Sequence, residues 1–274
     1  MSNHPTPLSI VRSEWIKFRT VRSTVWGVLT LIALTVGFGA LISFASAGHY
    51  SQRDIEKLSF DPVLRSLSGL FFAQLVVGVI GALAITSEYG SGAIRSTLAA
   101  VPRRIELILA KASVLKITIF VIGEAVSFGA FSIGQMIFAS TKVPLADRVF
   151  PELTHVPSAS LGTPGVFLAV FLGGVALTLL ALLGFFLGLI MRSTAASISV
   201  YVVSLLVLPI LTIFLPSNWR NDISKFLPTN LFQGMIATHH STDAFSPWMA
   251  TGTLTFYVLV IGAIGLALFS RRDA

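Results

Sequence analysis

The sequence predicts an all-α integral membrane protein, a single transmembrane domain over residues 1–274 with six membrane-spanning helices. Three observations predict it. First, six apolar runs of roughly twenty residues or more occur at 24–47, 67–86, 114–140, 164–191, 195–215 and 248–270. At 1.5 Å rise per helical residue, about twenty residues cross the roughly 30 Å hydrocarbon core of a bilayer. The runs are continuous rather than alternating, which selects helices over a barrel. Second, 54 % of the residues are hydrophobic and only 11 % charged, less than half the share of about 25 % usual in globular domains. Third, the mean hydropathy is +0.84. A soluble core would need six long, nearly uncharged helices buried on every side.

Charge placement gives an orientation. With the N-terminus inside, Arg12, Lys17, Arg19, Arg22, Arg95, Arg103, Arg104, Lys111, Lys116, Arg192, Arg271 and Arg272 fall on the inner side. Only Glu14, Glu88, Glu106 and Asp273 oppose them there. The outer basic residues, Arg53, Lys57, Arg65, Lys142, Arg148, Arg220 and Lys225, are matched by as many acids. The excess positive charge is thus expected in the cytoplasm, with both termini there and the chain in the cell membrane. Anionic lipid headgroups account for the net charge of +7, and no nucleic acid is needed. There is no cysteine, hence no disulfide, thiol nucleophile or cysteine metal site. Ala45-Ser46-Ala47 resembles a signal-peptidase site, but the apolar run before it is longer than a signal core, so it is read as a retained first span.

Each element follows in order. Before the first span, Leu8, Val11, Trp15 and Phe18 recur at helical spacing among Arg12, Lys17, Arg19 and Arg22. This predicts an interfacial amphipathic helix over 8–23, with the border arginines snorkelling. The outer connections are 49–66, 141–163 and 216–247. Thr163-Pro164 reads as a helix start, with a capping hydroxyl and proline at the first helical position. Within 216–247, the stretches 223–227 and 230–237 are too apolar for a solvated loop and too short to cross. With Pro216 and Pro228 beside them, they predict short helices dipping into the outer leaflet. Gly184 and Gly188 match a close-packing helix motif and are expected to pack within the chain. Pro209 is expected to kink the fifth span.

The connection between the second and third spans, 88–103, carries the most information. Glu88 and Tyr89 are followed by turn-forming Gly90 and Gly92, then by a short helix holding Ile94, Arg95 and Leu98, stopped at Val101-Pro102 before Arg103. Ile94 and Leu98, four apart with Arg95 between, form a compact amphipathic docking face. The run Glu88-Tyr89-Gly90-Ser91-Gly92-Ala93-Ile94-Arg95, then Leu98-Ala99, Pro102-Arg103-Arg104 and Ala110-Lys111, resembles the signature of type-two ATP-binding-cassette exporter permeases. Ser13-Glu14-Trp15-Ile16-Lys17 resembles that family's elbow helix, and 216–247 its outer re-entrant hairpin.

The resemblance implies that 88–103 is a coupling helix docking on a separate ATPase. It implies two ATPase copies and a second permease, identical or homologous, to complete the pathway. It implies export, and Ala93 departs from a common threonine. No Gly-Lys dipeptide occurs, so no phosphate loop exists in this chain. ATP and magnesium are expected on the partner ATPase, with no cofactor or catalytic residue here. The Phe-rich spans suggest a hydrophobic or amphipathic cargo such as a drug, antibiotic, peptide or lipid.

Other candidates carry less. Glu124 is the one ionisable residue expected near a span centre, so it must face protein or water, be paired, or be protonated. Gln74 and Gln135 are its possible polar neighbours. An alternative function from another class follows: a proton-coupled secondary transporter or channel using Glu124. His239-His240 with His155 lacks an acid at ligand spacing, and no metal is expected.

Overall fold

The computed structural model describes residues 7–50, 60–94, 104–144, 153–238 and 244–271. Helices α1 (Pro7–Thr20) and α2 (Arg22–His49) are separated by Val21, whose backbone is extended. Next come α3 (Pro62–Ser66), a 3₁₀ turn (Leu67–Gly69) and α4 (Leu70–Gly90). Helix α5 (Arg104–Ser140) is 37 residues long. Two three-residue strands, β1 (Lys142–Pro144) and β2 (Leu153–His155), pair antiparallel. Helices α6 (Val166–Met191), α7 (Thr194–Val202), α8 (Leu208–Thr212), α9 (Ser217–Ser224), α10 (Pro228–Ile236) and α11 (Pro247–Arg271) complete the chain.

Among the described residues the regular structure is helical apart from that strand pair. Among the described residues, five stretches are long and apolar enough to cross a membrane: Arg22–His49, Pro62–Gly90, Val166–Met191, Thr194–Thr212 and Pro247–Arg271. The third expected run, 114–140, lies within α5, whose first turns carry Arg104, Glu106 and Lys111. Large apolar side chains stand exposed around the outside, including Trp26, Phe44, Phe214, Phe256 and Leu259. In water such a surface would be a liability, whereas lipid is its natural solvent. The chain is a multi-pass membrane protein.

Helix α6 is the centre, packed by α4, α5, α11 and α10. Glycines set how closely it is approached. A methyl group on Gly184 would overlap the backbone of Gly78, and one on Gly81 the backbone of Ala181. Gly184 and Gly188 therefore pack α6 against α4 within the chain. Dispersion rises steeply with such close backbone approach, and in lipid it replaces the hydrophobic drive between helices. Gly78 also leaves room for the ring of Tyr201, fully buried, whose hydroxyl donates to the Gln74 carbonyl at 2.6 Å.

The fifth run departs from a regular helix where Pro209 requires it. A π turn, Val203–Val207, precedes α8. Pro209 has no N–H to give the Leu205 carbonyl one turn back. The buried Thr229 hydroxyl of α10 donates to that carbonyl at 2.7 Å. The short helix α10 buries Leu231, Phe232, Met235 and Ile236 in the bundle. Of the apolar stretch 223–227, only Ile223 and Ser224 belong to a helix, the polar, exposed α9, and Leu227 beyond it is buried.

Two boundaries differ from expectation. Helix α6 starts at Val166 after Gly165, whose φ is +83°. Thr163-Pro164 is therefore not its cap: Thr163 Oγ1 accepts the Ser160 N–H at 3.4 Å, and the left-handed Gly165 turns the chain into the helix. The second apolar run begins earlier, because Asp61 caps α3 by accepting from the Val63 and Leu64 N–H groups at 2.8 and 3.0 Å.

Candidate functional site

At the end of the bundle where α4 finishes and α5 begins, four charged side chains from three helices meet. Glu88 closes α4, Lys111 stands two turns into α5, and Glu14 and Lys17 come from α1. Lys111 Nζ lies 2.5 Å from Glu14 Oε2 and 2.5 Å from Glu88 Oε1. Lys17 Nζ lies 2.9 Å from Glu14 Oε1 and 3.4 Å from Glu88 Oε1. The Lys111 and Glu14 side chains are each 5 % exposed, and Glu88 is 13 % exposed. Two carboxylates and two ammonium groups alternate, so the network is neutral. Desolvation opposes the charge of Lys17, but its hydrogen bond to Glu14 and the charges of Glu14 and Glu88 outweigh that. Its value is held above the usual 10.5.

Sequence alone places these residues on separate elements. Glu14 and Lys111 appear in motif stretches, but only the fold shows that they face one another. The signal available is their type: an acid on the elbow helix, and a lysine two turns into a helix that must bury one face.

The same end is tied on its other side. The Arg192 guanidinium lies over the Tyr89 ring, 5.5 Å from its centroid. Thr194 Oγ1 donates to Thr86 Oγ1 at 2.9 Å. The turn between α6 and α7, with Arg192 at a left-handed φ of 54°, thus clasps the last turn of α4. Helix α4 then ends in Ser91 and Gly92, where a φ of +72° calls for glycine. A side chain at Gly90 would meet open space.

The expected docking face is only partly described. Ile94, at the edge of the described residues, is buried, 4 % exposed. Periodicity identifies one face of a short helix but does not say which neighbour covers it. Arg95, Leu98 and Arg103 lie outside the described residues.

Helix α1 meets the rest of the protein through a side that its apolar spacing does not mark. Ile10 and Glu14 are buried against α5, where Leu107 and Ala110 meet Ile10. Val11 and Phe18 are half-buried, while Leu8 and Trp15 remain exposed. The ion pair to Lys111 turns Glu14 inward, and of the apolar four only Leu8 and Trp15 face outward.

Glu124 is brought to neither candidate partner. Its carboxyl lies over Gly174 of α6, and both oxygens are buried without a hydrogen-bond partner among the described residues. Gln135 belongs to the other end: its Nε2 donates to the Pro62 carbonyl at 3.0 Å and Ser66 Oγ at 2.9 Å. Its Oε1 accepts from the Ala159 N–H at 2.7 Å. The Gln74 side-chain amide is buried without a partner among the described residues. No three of His, Cys, Asp and Glu gather at metal-holding distance among the described residues, and His239 and His240 lie outside them.

Comparison with known proteins supplies a family. No curated protein sequence matches the chain. A family model described as ABC-2 family transporter protein matches residues 8–274, from the first turn of α1 through α11. The chain therefore belongs to the ABC-2 family of transporter proteins, as a membrane component.

Proposed function

We propose that the chain is the permease half of an ATP-driven exporter, with six spans, both termini in the cytoplasm and 88–103 as its coupling segment. The observation that carries this reading is the construction around Glu88. The base of the segment is bonded to α1 and α5 through Lys111 and to the turn after α6 through Tyr89 and Thr86. A segment so tied passes a displacement to several spans at once, which a mere linker would not do. ATP hydrolysis belongs to a separate ATPase subunit in two copies, each docking on one permease, and a second permease completes the path. The cargo class is hydrophobic or amphipathic, in keeping with the apolar spans, and movement between inward-open and outward-open states is by tilting of spans.

The test is co-purification with the cognate ATPase and permease-dependent ATP hydrolysis. Leu98→Asp places a carboxylate on the expected docking face and is expected to abolish both while the permease still inserts. Wild-type values for both would remove the coupling assignment. Orientation is checked separately, since the chain has no cysteine. Single cysteines at Ser158 and Ser241 should react with an impermeant thiol reagent in intact cells, and one at Ser96 should not.

A further inference from the structure

At the end of the bundle away from Glu88, a cavity of about 290 Å³ lies between the last turns of α2 and helix α3. Ile42, Ala45, Ser46 and His49 line it from one side of α2, at i, i+3, i+4 and i+7, and Tyr50, Phe60 and Arg65 complete the lining. That volume suits a headgroup and falls just short of the roughly 300–1,000 Å³ of drug-sized sites. Tyr50 and Phe60 meet edge to face at 5.0 Å and pack on buried Ala47, Phe138 and Val156. The aromatic part of the lining is therefore held in place by the fold.

The polar groups of the lining are mostly donors left unused. The Arg65 backbone is engaged: its N–H donates to the Asp61 carbonyl at 3.1 Å, and its carbonyl accepts from Ser68 Oγ at 2.8 Å. Its exposed guanidinium has no hydrogen bond or ion pair among the described residues. The Ser46 and Tyr50 hydroxyls have none there either, and neither is sealed from solvent. The Nδ1–H of His49 donates to the Ala45 carbonyl at 2.7 Å, which leaves Nε2 for a proton shared with a guest. Among the described residues no Asp or Glu lines the cavity. Asp61, the cap of α3, already accepts from the Val63 and Leu64 N–H groups and the Thr238 hydroxyl.

We propose that this cavity binds the phosphate of an anionic phospholipid in the leaflet at that end. The planar fork of a guanidinium matches two phosphate oxygens, and the two hydroxyls supply further donors to them. Charge decides the class. Phosphatidylglycerol brings one negative charge to Arg65, whereas the ammonium of a zwitterionic headgroup would enter a cavity that holds a cation and no carboxylate. Lipid is the source at hand, since Leu41 and Phe44, beside Ile42 and Ala45 on α2, are 59 % and 70 % exposed. The site depends neither on which side of the membrane that end faces nor on coupling at 88–103.

The experiment uses the full chain reconstituted in vesicles of equimolar phosphatidylethanolamine, phosphatidylcholine and phosphatidylglycerol, then extracted and weighed with its retained lipid by native mass spectrometry. Phosphatidylglycerol should be retained at least about three-fold above its share, as one basic contact at a membrane surface provides. Arg65→Gln should bring it down to its share. That guanidinium makes no bond within the described fold, so unchanged gel-filtration behaviour is expected beside the loss. Ser46→Phe, which fills the cavity and keeps the charge, should also abolish the enrichment. Lys142→Gln, the same charge change at the same end but outside the cavity, should leave it intact. Equal retention of the three lipids, enrichment of either zwitterion, enrichment unchanged in Arg65→Gln, or equal loss in Lys142→Gln overturns the proposal. Displacement of the retained lipid by millimolar inorganic phosphate assigns the cavity to a free anion and overturns the lipid source.

Discussion

Lys111 is the hub of the ion network, and its removal gives the sharpest test of what the network contributes. Lys111→Met keeps the length and apolar stem of the side chain but leaves Glu14 and Glu88, 5 % and 13 % exposed, sharing one half-exposed lysine. Breaking a buried pair by removing one partner costs about 3–5 kcal/mol, because a carboxylate remains desolvated without its counter-charge. Glu14→Gln alone should cost less, since Lys111 and Lys17 keep Glu88. The two changes together should cost less than their sum, because the amide no longer demands a cation. A coupling energy on the order of 1.5–3 kcal/mol is expected.

The assay is reversible unfolding in mixed micelles by added SDS, for the parent, both single variants and the double, at low salt and at 0.5 M salt. Buried pairs are screened far less than exposed ones, so the coupling should persist at high salt. Additivity within about 0.5 kcal/mol, or a loss under about 1 kcal/mol for Lys111→Met, would refute the reasoning and reduce the cluster to an exposed ion pair. Lys17→Met supplies the contrast. With 44 % of that side chain exposed, solvent screening limits the loss to about 1 kcal/mol or less. The sign of its pH dependence follows from a folded value raised above 10.5. Its contribution is fully present below that ordinary value and is lost only as pH rises through the raised one, so between pH 7 and 9 it should be flat.

Three further outcomes are expected. Gly78→Ala drives a methyl into the ring of buried Tyr201 and should cost about 1–3 kcal/mol in the same assay. Gly37→Ala, with nothing within 4 Å of the new methyl, should be neutral or favourable. Thr229→Val removes the donor to the Leu205 carbonyl and should cost about 1–2 kcal/mol; combined with Pro209→Ala, which restores a backbone N–H, the loss should shrink. Glu124→Gln should fold and keep most transport, as the carboxyl has no hydrogen-bond partner to lose among the described residues. Loss of transport together with a pH dependence present in the parent would favour a proton-coupled mechanism.

The elements legible in the sequence are those with long uniform signals. Apolar length places the helices, and the break before Gly92 and the short helix after Pro228 come from residues whose backbone chemistry is local. What is not legible is rotation about helix axes. Leu8, Val11, Trp15 and Phe18 do lie on one side of α1, yet the protein buries Ile10 and Glu14. A membrane offers an apolar solvent outside, so an apolar stripe no longer marks the side that meets the protein. The inward-turned acid and its lysine mark it instead. The Glu124 neighbourhood fails for a related reason: Gln74, Glu124 and Gln135 are all polar in apolar runs, but Gln135 is drawn to the freed polar groups of Pro62, Ser66 and Ala159, far along α5 from Glu124.

The placement of charge at the two ends of α4 and α5 bears on how motion would travel. At the end far from Glu88, Gln135 of α5 bonds α3 and the segment before α6 through neutral groups. Such a node fixes geometry at about 1 kcal/mol per bond and can be remade by similar neutral partners. At the other end the ties are ionic: Lys111 of α5 pairs with Glu14 of α1 and Glu88 of α4, and Lys17 of α1 pairs with both acids. Pulling Glu88 away from Lys111 exposes desolvated charge, so a displacement of the coupling segment is resisted by the full cost of an unpaired ion unless α1 and α5 follow. On the proposed reading, ATPase closure at 88–103 therefore moves the elbow helix, α4 and α5 together at that end. The neutral node at the far end lets the outer parts of the same helices rearrange at lower cost. On that reading, the two ends differ in stiffness because they differ in the kind of polar group used, and that asymmetry would give a push at one face of the membrane a defined lever to the other.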